Sequence, residues 1–432
     1  MNTPIPMATN SRRRFGLLAR EIREQFLGHE PGPDESESDL RVMLYSHDTM
    51  GMGHMRRNLL IAGSIKVRFP GASILTVAGA KEACTFAQQA GLDCLTLPSF
   101  QKRLDGTYTS RSLGIPAEEV LDFRNRMILT AMKSFHPDLL IVDKLPAGAG
   151  GELLPALEWI TRHSSCRCVL GLRDILDAPE KVARDWSCTH TFETIRDHFQ
   201  EIWIYGDPNV YDAIHQYAFP DDIAALAKFT GYLDTRSRLN DSISRPTFDA
   251  DSYVLCTVGG GQDGEALPLG FIEAIRMTGR KAKLLLGPYM PSAMKEQILL
   301  NSANVPSLQV IEFAIEGDLL ARDASHVVSM GGYNTLAAIL SWNKPALIVP
   351  RVTPRKEQSI RASRLAELGH IDMILPEFLT SDAIVQWLHK STSRPATSNS
   401  LDMNGLQRIC ESIHASFPTV KFTSNGVAAV LA

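Results

Sequence analysis

The chain has 432 residues, 44% of them hydrophobic and 21% charged, which is typical of a globular protein too long for one ordinary hydrophobic core. The formal net charge of −4 gives no overall electrostatic argument for binding nucleic acid or an anionic membrane. No apolar run approaches the ~20 residues that span a bilayer, and the seven scattered cysteines lack zinc-site spacing, so we expect a cytoplasmic protein with reduced thiols.

Residues 1–40 are predicted to be a separate N-terminal extension. Apolar residues recur at approximately helical spacing between Phe15 and Phe26, with arginines among them, until GHEPGPDESESD breaks the pattern. One interpretation is a basic amphipathic helix at 12–26 that makes weak contact with the inner membrane face or a partner. The other is a helix packed on its own protein, or a frayed tail, which the acidic balance of the whole chain favours.

From residue 41 onward, short apolar runs alternate with amphipathic segments. The runs RVMLYS, SILTVAG, HPDLLIVD, CRCVLGLRD and EIWIYGD predict strands, and helices are predicted over 54–68, 81–90 and 152–163. Strands that lead into helices in this way indicate a parallel sheet with helices on both faces. We therefore assign 41–233 to a first Rossmann-like domain.

A polar, turn-rich interdomain linker at 234–250 interrupts this series, and a second series follows over 251–390. The runs YVLCTVGGG, AKLLLGP, LQVIEF, ASHVVSMGG, KPALIVPR and HIDMILP predict its strands. The sequence thus predicts an α/β protein with two doubly wound Rossmann-like domains that face an interdomain cleft. The tail at 391–432 contains LQRICESIHASF, a helical segment that could return to the first domain.

Three glycine-containing loops follow predicted strands, at 50–54, 259–264 and 330–335. In open parallel sheets, ligands bind at the carboxyl ends of the strands, so these loops are the first candidates for a site. The stretch YSHDTMGMGH places His54 where a helix should begin. A histidine there could transfer a proton near neutral pH, or it could be an ordinary helix-start residue.

The two later loops have features of anion sites. TVGGGQDG could present backbone N–H groups to an anion, or it could be only a tight turn. GGYNT ends a buried strand and begins a helix, which Asn334 or Thr335 could cap while free N–H groups bind a diphosphate. Arg351 and Arg355 follow the next strand and could hold phosphate oxygens, although a solvated basic helix start has the same pattern.

Charged residues at the ends of two first-domain strands are further candidates. Asp143 and the Arg173–Asp174 pair should face the cleft, where they could contact an acceptor or form an internal ion pair. Asp249 and Asp251, in FDAD, precede a strand instead of following one, so we do not expect them to bind a metal. We expect no other cofactor.

In this order, the motifs resemble family 28 glycosyltransferases of the GT-B fold, which include the lipid-II-forming N-acetylglucosaminyltransferase. The histidine after the first glycine loop, the glycine-rich loop of the second domain, GGYNT and IVPR…EQ carry the likeness. YSHDTMGMGHMRR, PDLLIVDKLPAG and LGLRDILDAP more closely resemble a bacterial group of predicted glycosyltransferases. The resemblance spans roughly residues 41–390.

The resemblance implies an inverting, metal-independent, hexosyltransferase-type enzyme that uses a nucleoside-diphosphate sugar, with a UDP-sugar as the first expectation. A small-molecule, glycan or lipid-linked acceptor would bind mainly the first domain, with His54 as base or positioning residue, and the donor mainly the second. Phe313 matches the nucleobase position and Gln358 the position near the donor sugar. The candidate acceptor residues, including two from the topology, are Gly51, Gly53, Asp143 and Arg173. The candidate donor residues are Gly259, Gly260, Gly261, Gln262, Phe313, Gly331, Gly332, Tyr333, Asn334, Thr335, Arg351, Arg355 and Gln358.

The chain departs from the family pattern at one position. The relatives have a glutamate for the donor ribose four residues beyond the position of Asn334, where this chain has Ala338. An unsatisfied ribose diol would cost about 1–3 kcal/mol, so another residue substitutes, the donor differs, or donor binding has decayed. Two alternatives stay open: a catalytically silent protein that binds a nucleotide sugar or a partner, and a non-hydrolysing sugar-nucleotide epimerase. The epimerase is less favoured because no carboxylate cluster flanks the glycine loops.

Overall fold

The computed structural model describes residues 40–47, 53–102, 108–238, 252–261, 266–314, 317–390 and 401–423. The predictions for the N-terminal extension, Gly51, Gln262 and the FDAD aspartates lie outside these residues. Two parallel sheets with helices packed on them make two Rossmann-like domains, so the predicted fold class is confirmed.

Seven parallel strands form the sheet of the first domain. They are β1 (Arg41–Ser46), β2 (Ser73–Ala78), β3 (Asp93–Thr96), β6 (Leu139–Asp143), β7 (Arg167–Arg173), β8 (Glu201–Tyr205) and β9 (Ala227–Phe229). An antiparallel pair stands apart, β4 (Phe100–Lys102) with β5 (Tyr108–Ser110). The helices are α1 (Gly53–Arg68), α2 (Ala83–Gln89), α3 (Ala117–Phe135), α4 (Leu154–His163), α5 (Pro179–Cys188), α6 (Thr191–His198), α7 (Ala213–Gln216) and α8 (Asp221–Ala224). The strand order is β3-β2-β1-β6-β7-β8-β9.

Six parallel strands form the sheet of the second domain. They are β10 (Tyr253–Thr257), β11 (Ala282–Leu285), β12 (Leu308–Ile311), β13 (Ala324–Ser329), β14 (Ala346–Ile348) and β15 (Asp372–Met373). The helices are α9 (Ala266–Thr278), α10 (Ser292–Ser302), α11 (Gly317–Asp323), α12 (Tyr333–Ser341), α13 (Glu357–Glu367), α14 (Ser381–His389) and, in the tail, α15 (Gly405–Ser416). The strand order is β12-β11-β10-β13-β14-β15.

The central strands are buried on both faces because their sequences are continuously apolar. All five residues of β6 and all five of β10 are buried, as expected for parallel strands covered by helices on either side. In both sheets the order reverses beside the first strand, between β1 and β6 and between β10 and β13. Loops at such switch points leave the sheet in opposite directions and open a crevice, which is where doubly wound proteins bind ligands.

The tail and a buried ion pair connect the two domains. Helix α15 packs against α1, with Ser64 Oγ 3.4 Å from Cys410 Sγ, and Leu233 forms a bridge with Asn404. Arg361 on α13 donates to both oxygens of Asp174, just after β7, at 2.7 Å and 2.6 Å. None of the described helices is long and apolar enough to cross a membrane.

Candidate active site

A cavity of about 280 Å³ lies between the carboxyl ends of the two sheets. We call Gly53, His54, Arg56, Arg57, Leu60 and Arg173 the first-domain wall, and the lining residues from Leu255 to Ala338 the second-domain wall. The predicted residues that line the cavity are Gly53, His54, Arg173, Gly259, Gly260, Phe313, Gly332, Tyr333, Asn334 and Thr335. The predicted residues that lie outside its lining are Asp143, Gly261, Gly331, Arg351, Arg355 and Gln358.

His54 is held by a carboxylate at the switch point of the first sheet. It is the second residue of α1, and its Nδ1 lies 2.6 Å from Oδ2 of Asp143, the last residue of β6. Because an ionised carboxylate only accepts hydrogen bonds, we assign the hydrogen to Nδ1, which makes Nε2 the unprotonated nitrogen. Arg57, one turn farther along α1, donates to both oxygens of Asp143, at 2.7 Å and 2.5 Å.

Burial keeps the imidazole of His54 neutral at pH 7. Burial lowers the pKa of His54 to about 4, although the Asp143 carboxylate opposes this shift. Burial raises the pKa of Asp143, but the charges of Arg57 and His54 outweigh it and lower the pKa to about 2. The cluster is therefore a neutral imidazole with an ionised carboxylate behind it, which is the protonation state of a general base.

The carboxylates of Asp143, at the end of β6, and Asp174, just after β7, form ion pairs within the protein. An acceptor contact was one of two roles predicted for Asp143, but its side chain is fully buried, and its oxygens are bonded to Arg57 and His54. Asp174 is almost fully buried and is occupied by Arg361 and by the hydroxyl of Tyr232, which donates at 3.1 Å. The internal ion pair that the sequence left open is thus the observed arrangement for both carboxylates.

Arg173 contrasts with its neighbour Asp174. It lines the cavity, and it makes no hydrogen bond or ion pair with any residue that the structure describes. Burial, together with the nearby charges of Arg57 and Arg361, lowers the pKa of Arg173 to about 10. A partly buried guanidinium that lacks a partner is costly unless it serves a ligand.

The start of α12 is a part of the second-domain wall that contacts α1 directly. The helix begins at Tyr333 with Gly332 as N-cap and no capping side chain, so the prediction that Asn334 or Thr335 caps it was wrong. Asn334 reaches instead across the cleft, where its Nδ2 donates to the carbonyl oxygen of Gly53 at 2.9 Å. The N–H groups of the first helical turn, which have no intrahelical acceptor, lie at the cavity.

The glycines of the second domain divide into two kinds. At Gly332 an added Cβ would meet no atom within 4 Å, so this residue keeps space open beside the helix start. Gly331 has φ +82°, and a Cβ there would lie 2.8 Å from Ile348 Cγ2. Gly261 has φ +81° and would approach the backbone of Gly287 to 2.9 Å. Gly331 and Gly261 are therefore needed for the turns themselves.

Arg351 and Arg355, the predicted phosphate-binding arginines of the loop before α13, lie outside the cavity lining. Arg351 pairs with Glu357 at 2.5 Å, and its backbone N–H donates to Oε1 of Gln358 at 3.0 Å. Gln358 thus supports the loop that precedes α13. Arg355 is in the same loop and is partly exposed.

Phe313 provides an exposed aromatic surface in the lining of the cavity. Its side chain is 41% exposed, and its ring meets Phe86 edge-on with the centroids 6.0 Å apart. Arg56 fixes this corner by donating to the carbonyl oxygen of Ala314 at 3.2 Å. A planar ligand could pack on the open part of the ring.

Sequence reasoning missed Arg56, Arg57 and Asp318. Arg57 follows His54 by three residues, so helical spacing could have placed both on one face of α1. Asp318 gave no signal because its helix, α11, has no strand-end motif of its own. Asp318 is the one carboxylate among the described residues that line the cavity. Ala338 lines the same cavity. No group of three metal-ligating side chains occurs in the part of the chain that the structure describes.

Two Rossmann-like domains with switch points on opposite sides of a cleft define the GT-B fold, and comparisons with solved structures agree. CalG4, the calicheamicin glycosyltransferase, matches with a TM-score of 0.57 and 13% identity over 88% of this chain and 99% of its own. Acinetobacter baumannii MurG matches with a TM-score of 0.54 and 14% identity over 87% and 99%. A Listeria monocytogenes protein provisionally described as a UDP-N-acetylglucosamine 2-epimerase matches with a TM-score of 0.59 and 12% identity, over 88% of this chain and 97% of its own. At such identities the likeness establishes the fold alone. The sequence matches no protein-family model and no curated protein.

Proposed function

We propose that this protein is an inverting, metal-independent glycosyltransferase, related to family 28, that moves a sugar from a nucleoside diphosphate to an acceptor hydroxyl. The observation that carries the proposal is the content of one cavity, where a neutral, Asp143-held His54 lies opposite the open start of α12. The reaction needs a base for the hydroxyl and a site for the departing diphosphate. This cavity offers candidates for both.

His54 would act as the general base. As the acceptor oxygen attacks C1 of the sugar, its proton would pass to Nε2, and the C1–O bond to the diphosphate would break. Attack from the face opposite the leaving group inverts the configuration at C1. Asp143 would stabilise the imidazolium that forms, since its carboxylate lies 2.6 Å from Nδ1, and Arg57 would hold that carboxylate in place.

The start of α12 would receive the diphosphate. Free N–H groups and the helix dipole favour an anion at a helix N-terminus, and Gly332 leaves space for it to approach. Gly259 and Gly260 line the same side of the cavity. Negative charge grows on the leaving diphosphate in the transition state, so donors fixed in this position would lower the barrier.

Asp318 is our candidate for the ribose of the donor. Ala338, where the family has a glutamate, offers the diol no acceptor, but the carboxylate of Asp318 lines the same cavity. Phe313 would then pack against the base, with a UDP-sugar as the first expectation. This assignment would explain how a chain with alanine at 338 retains a donor site.

Two other functions remain competitors. The fold of the Listeria protein favours the epimerase, but that chemistry needs acid and base groups on both sides of the sugar, and Asp318 is the one carboxylate in the described lining. Ala338 favours a catalytically silent binder.

The first test is a thermal-shift panel with UDP, GDP, dTDP, ADP and CMP, each with chelator and with magnesium. A ligand at about 100 times its dissociation constant adds about 2.7 kcal/mol to the stability of the native state. A shift with one diphosphate that survives chelator supports the donor site and identifies the base. Release of that diphosphate from its sugar conjugate, with the anomeric configuration of the product read by NMR, then separates transferase from silent binder. If none of the five nucleotides shifts the transition, the donor site is refuted.

A further inference from the structure

The region around Arg173, where the two domains meet, contains more positive charge than its carboxylates can balance. Asp143 is bonded to Arg57, Asp174 to Arg361, and Glu357 to Arg351. Each of these three carboxylates thus already has a hydrogen-bonded arginine. Three nearby cations have no carboxylate partner among the described residues: Lys144, Arg173 and Arg355.

Arg173 is the cation of this set that lines the cavity, and its Nε is buried without an acceptor among the described residues. Glu357 is near enough to influence it, yet Oε2 of Glu357 has no hydrogen-bond partner in the described chain either. The arginine is therefore not neutralised by a direct bond from the protein.

Lys144 lies beside Arg173, directly after Asp143 at the end of β6. Its backbone has φ +71°, which is rare for a residue with a side chain, and its N–H donates to the carbonyl oxygen of Gly171 at 2.8 Å. Burial, with the charges of Arg173 and Arg355 next to it, lowers the pKa of Lys144 to about 7. No hydrogen bond or ion pair of its ammonium group to a described residue is present, and the same holds for Arg355 within the described ranges.

We propose that Lys144, Arg173 and Arg355 form a site for a second anionic group, a phosphate or carboxylate that the transferred sugar or the acceptor carries in addition to the donor diphosphate. Guanidinium and ammonium groups that have no protein partner bind such oxygens through charge-assisted hydrogen bonds. The inference rests on the proposed function, since Arg173 lines the proposed active-site cavity and the anion would be part of a substrate bound there. Because Arg355 belongs to the second domain, the anion would also join the two domains.

The location separates this site from that of the diphosphate. The open start of α12, Gly259 and Gly260 are on the second-domain wall, whereas Arg173 ends β7 and Lys144 directly follows β6 in the first sheet. Arg173 is influenced by Arg57, which is bonded to Asp143 beneath His54. The second anion would therefore lie close to the base and hence to the reacting hydroxyl.

The test uses three variants of the full chain that each remove one positive charge: Lys144→Gln, Arg173→Gln and Arg355→Gln. Arg184→Gln, an exposed position on α5, is the matched control. Methyl phosphate and acetate are titrated calorimetrically at constant ionic strength into protein alone and into protein saturated with UDP-glucose. UDP-glucose and UDP-glucuronate are then compared with each protein, which tests the transferred sugar as the source of the anion.

We expect each variant to lose at least about tenfold in affinity for the anion, the scale of one charge-assisted hydrogen bond, with under twofold change for UDP-glucose. Arg184→Gln should change neither. Methyl phosphate or acetate binding on top of UDP-glucose identifies the acceptor as the source. A preference for UDP-glucuronate that the variants abolish identifies the sugar. Because the removed charges have no partner, the variants should melt no lower than the unmodified protein without ligand.

Two results would overturn the proposal. If UDP displaces methyl phosphate and Arg173→Gln weakens both alike, the cations serve the donor diphosphate. If no anion binds, with or without nucleotide, there is no such site. Failure of UDP-glucose to bind would count against the uridine donor, and the titrations without nucleotide would still decide for or against the anion site.

Discussion

The two walls of the cavity differ in how they present charge. All the arginines of the lining that the structure describes, Arg56, Arg57 and Arg173, are on the first-domain wall, together with His54. The second-domain wall has no lysine or arginine among its described residues and offers glycines, apolar side chains, one carboxylate and the start of α12. One wall works through side chains that titrate or carry charge, and the other mainly through backbone groups and surface shape.

This difference suggests a division of labour on two similar domains. The sheets have the same strand order from their edge through the switch point, so topology alone does not distinguish them. What distinguishes them is the residue that ends the strand beside the switch. β6 ends in Asp143, which holds His54, and β13 ends in Ser329, followed by the turn at Gly331. Chemistry should therefore depend on first-domain side chains and nucleotide affinity on the second domain.

The largest expected effect comes from removing His54. His54→Ala should lower kcat by about 10²–10⁴, the usual contribution of a general base, because the acceptor hydroxyl loses its proton acceptor. Nucleotide affinity should change less than twofold, since the diphosphate is assigned to the other wall. Turnover measured as diphosphate release, and affinity measured by calorimetry, check the two halves separately. Unchanged turnover would remove His54 from the mechanism, and a large loss of affinity would remove the division between the walls.

The next effect is on the second-domain wall, at two adjacent glycines. Gly332→Ala should fold with unchanged stability, because its Cβ meets no atom, but weaken nucleotide binding about tenfold by placing a methyl group before the N–H groups of α12. Gly331→Ala is the contrasting variant. It should lower the free energy of unfolding by about 1–3 kcal/mol, because of its positive φ and the contact with Ile348. Denaturant melts and nucleotide titrations of both variants distinguish a ligand glycine from a turn glycine. Equal nucleotide affinity of Gly332→Ala and the parent would refute the assignment.

The sequence predicted the fold well because parallel strands have a strong local signal. Runs such as LLIVD at 139–143 are buried throughout and precede helices, so the series of strands and helices could be read directly from the sequence. Helix α3 (Ala117–Phe135) was not predicted, although it contributes buried residues such as Ile128 and Met132 to the core of the first domain.

The site was predicted less completely, for a physical reason. Glycine loops and strand ends have fixed places in a doubly wound fold, which is how His54, Arg173 and the start of α12 could be assigned to one cleft. Which charge pairs with which depends on packing between domains. Asp174 bonds to Arg361, 187 residues later, and no local pattern reports that distance. For the same reason the sequence could not show which cations, such as Lys144, would have no carboxylate partner.

A smaller effect is expected at Asp318, the carboxylate of the second-domain wall. Asp318→Asn should weaken UDP binding by about 1–1.5 kcal/mol, roughly tenfold, because an amide replaces the charged acceptor of the ribose hydroxyls. The same variant should bind 2′,3′-dideoxy-UDP as the parent does, since that nucleotide has no diol. This comparison separates loss of a ribose contact from a change in the helix that carries Asp318. Equal losses for both nucleotides would show that the carboxylate acts only within the protein.

The smallest expected effect is a pH profile that stays flat where an ordinary histidine would titrate. At its usual pKa of about 6.5, the base form would fall about elevenfold between pH 8 and pH 5.5. With its pKa lowered to about 4, His54 is still almost wholly neutral at pH 5.5, so kcat/KM should change less than about twofold between pH 7 and pH 5.5 and fall only near pH 4. Three groups around the imidazole do not titrate in this window: Arg57 and Asp143 stay charged, and burial lowers the pKa of His47 well below its usual value. Lys144, with its pKa lowered to about 7, does gain a proton there, so the profile is measured on Lys144→Gln as well as on the parent. The lowered pKa of His54 should also make the native state less stable as the pH falls. Between pH 6.5 and pH 4 the unfolded chain binds a proton at this histidine and the native chain does not, so acid costs stability there. A tenfold loss of kcat/KM by pH 5.5 would mean that the first-domain wall leaves its histidine exposed to water, and the contrast between the two walls would then fail at its central residue.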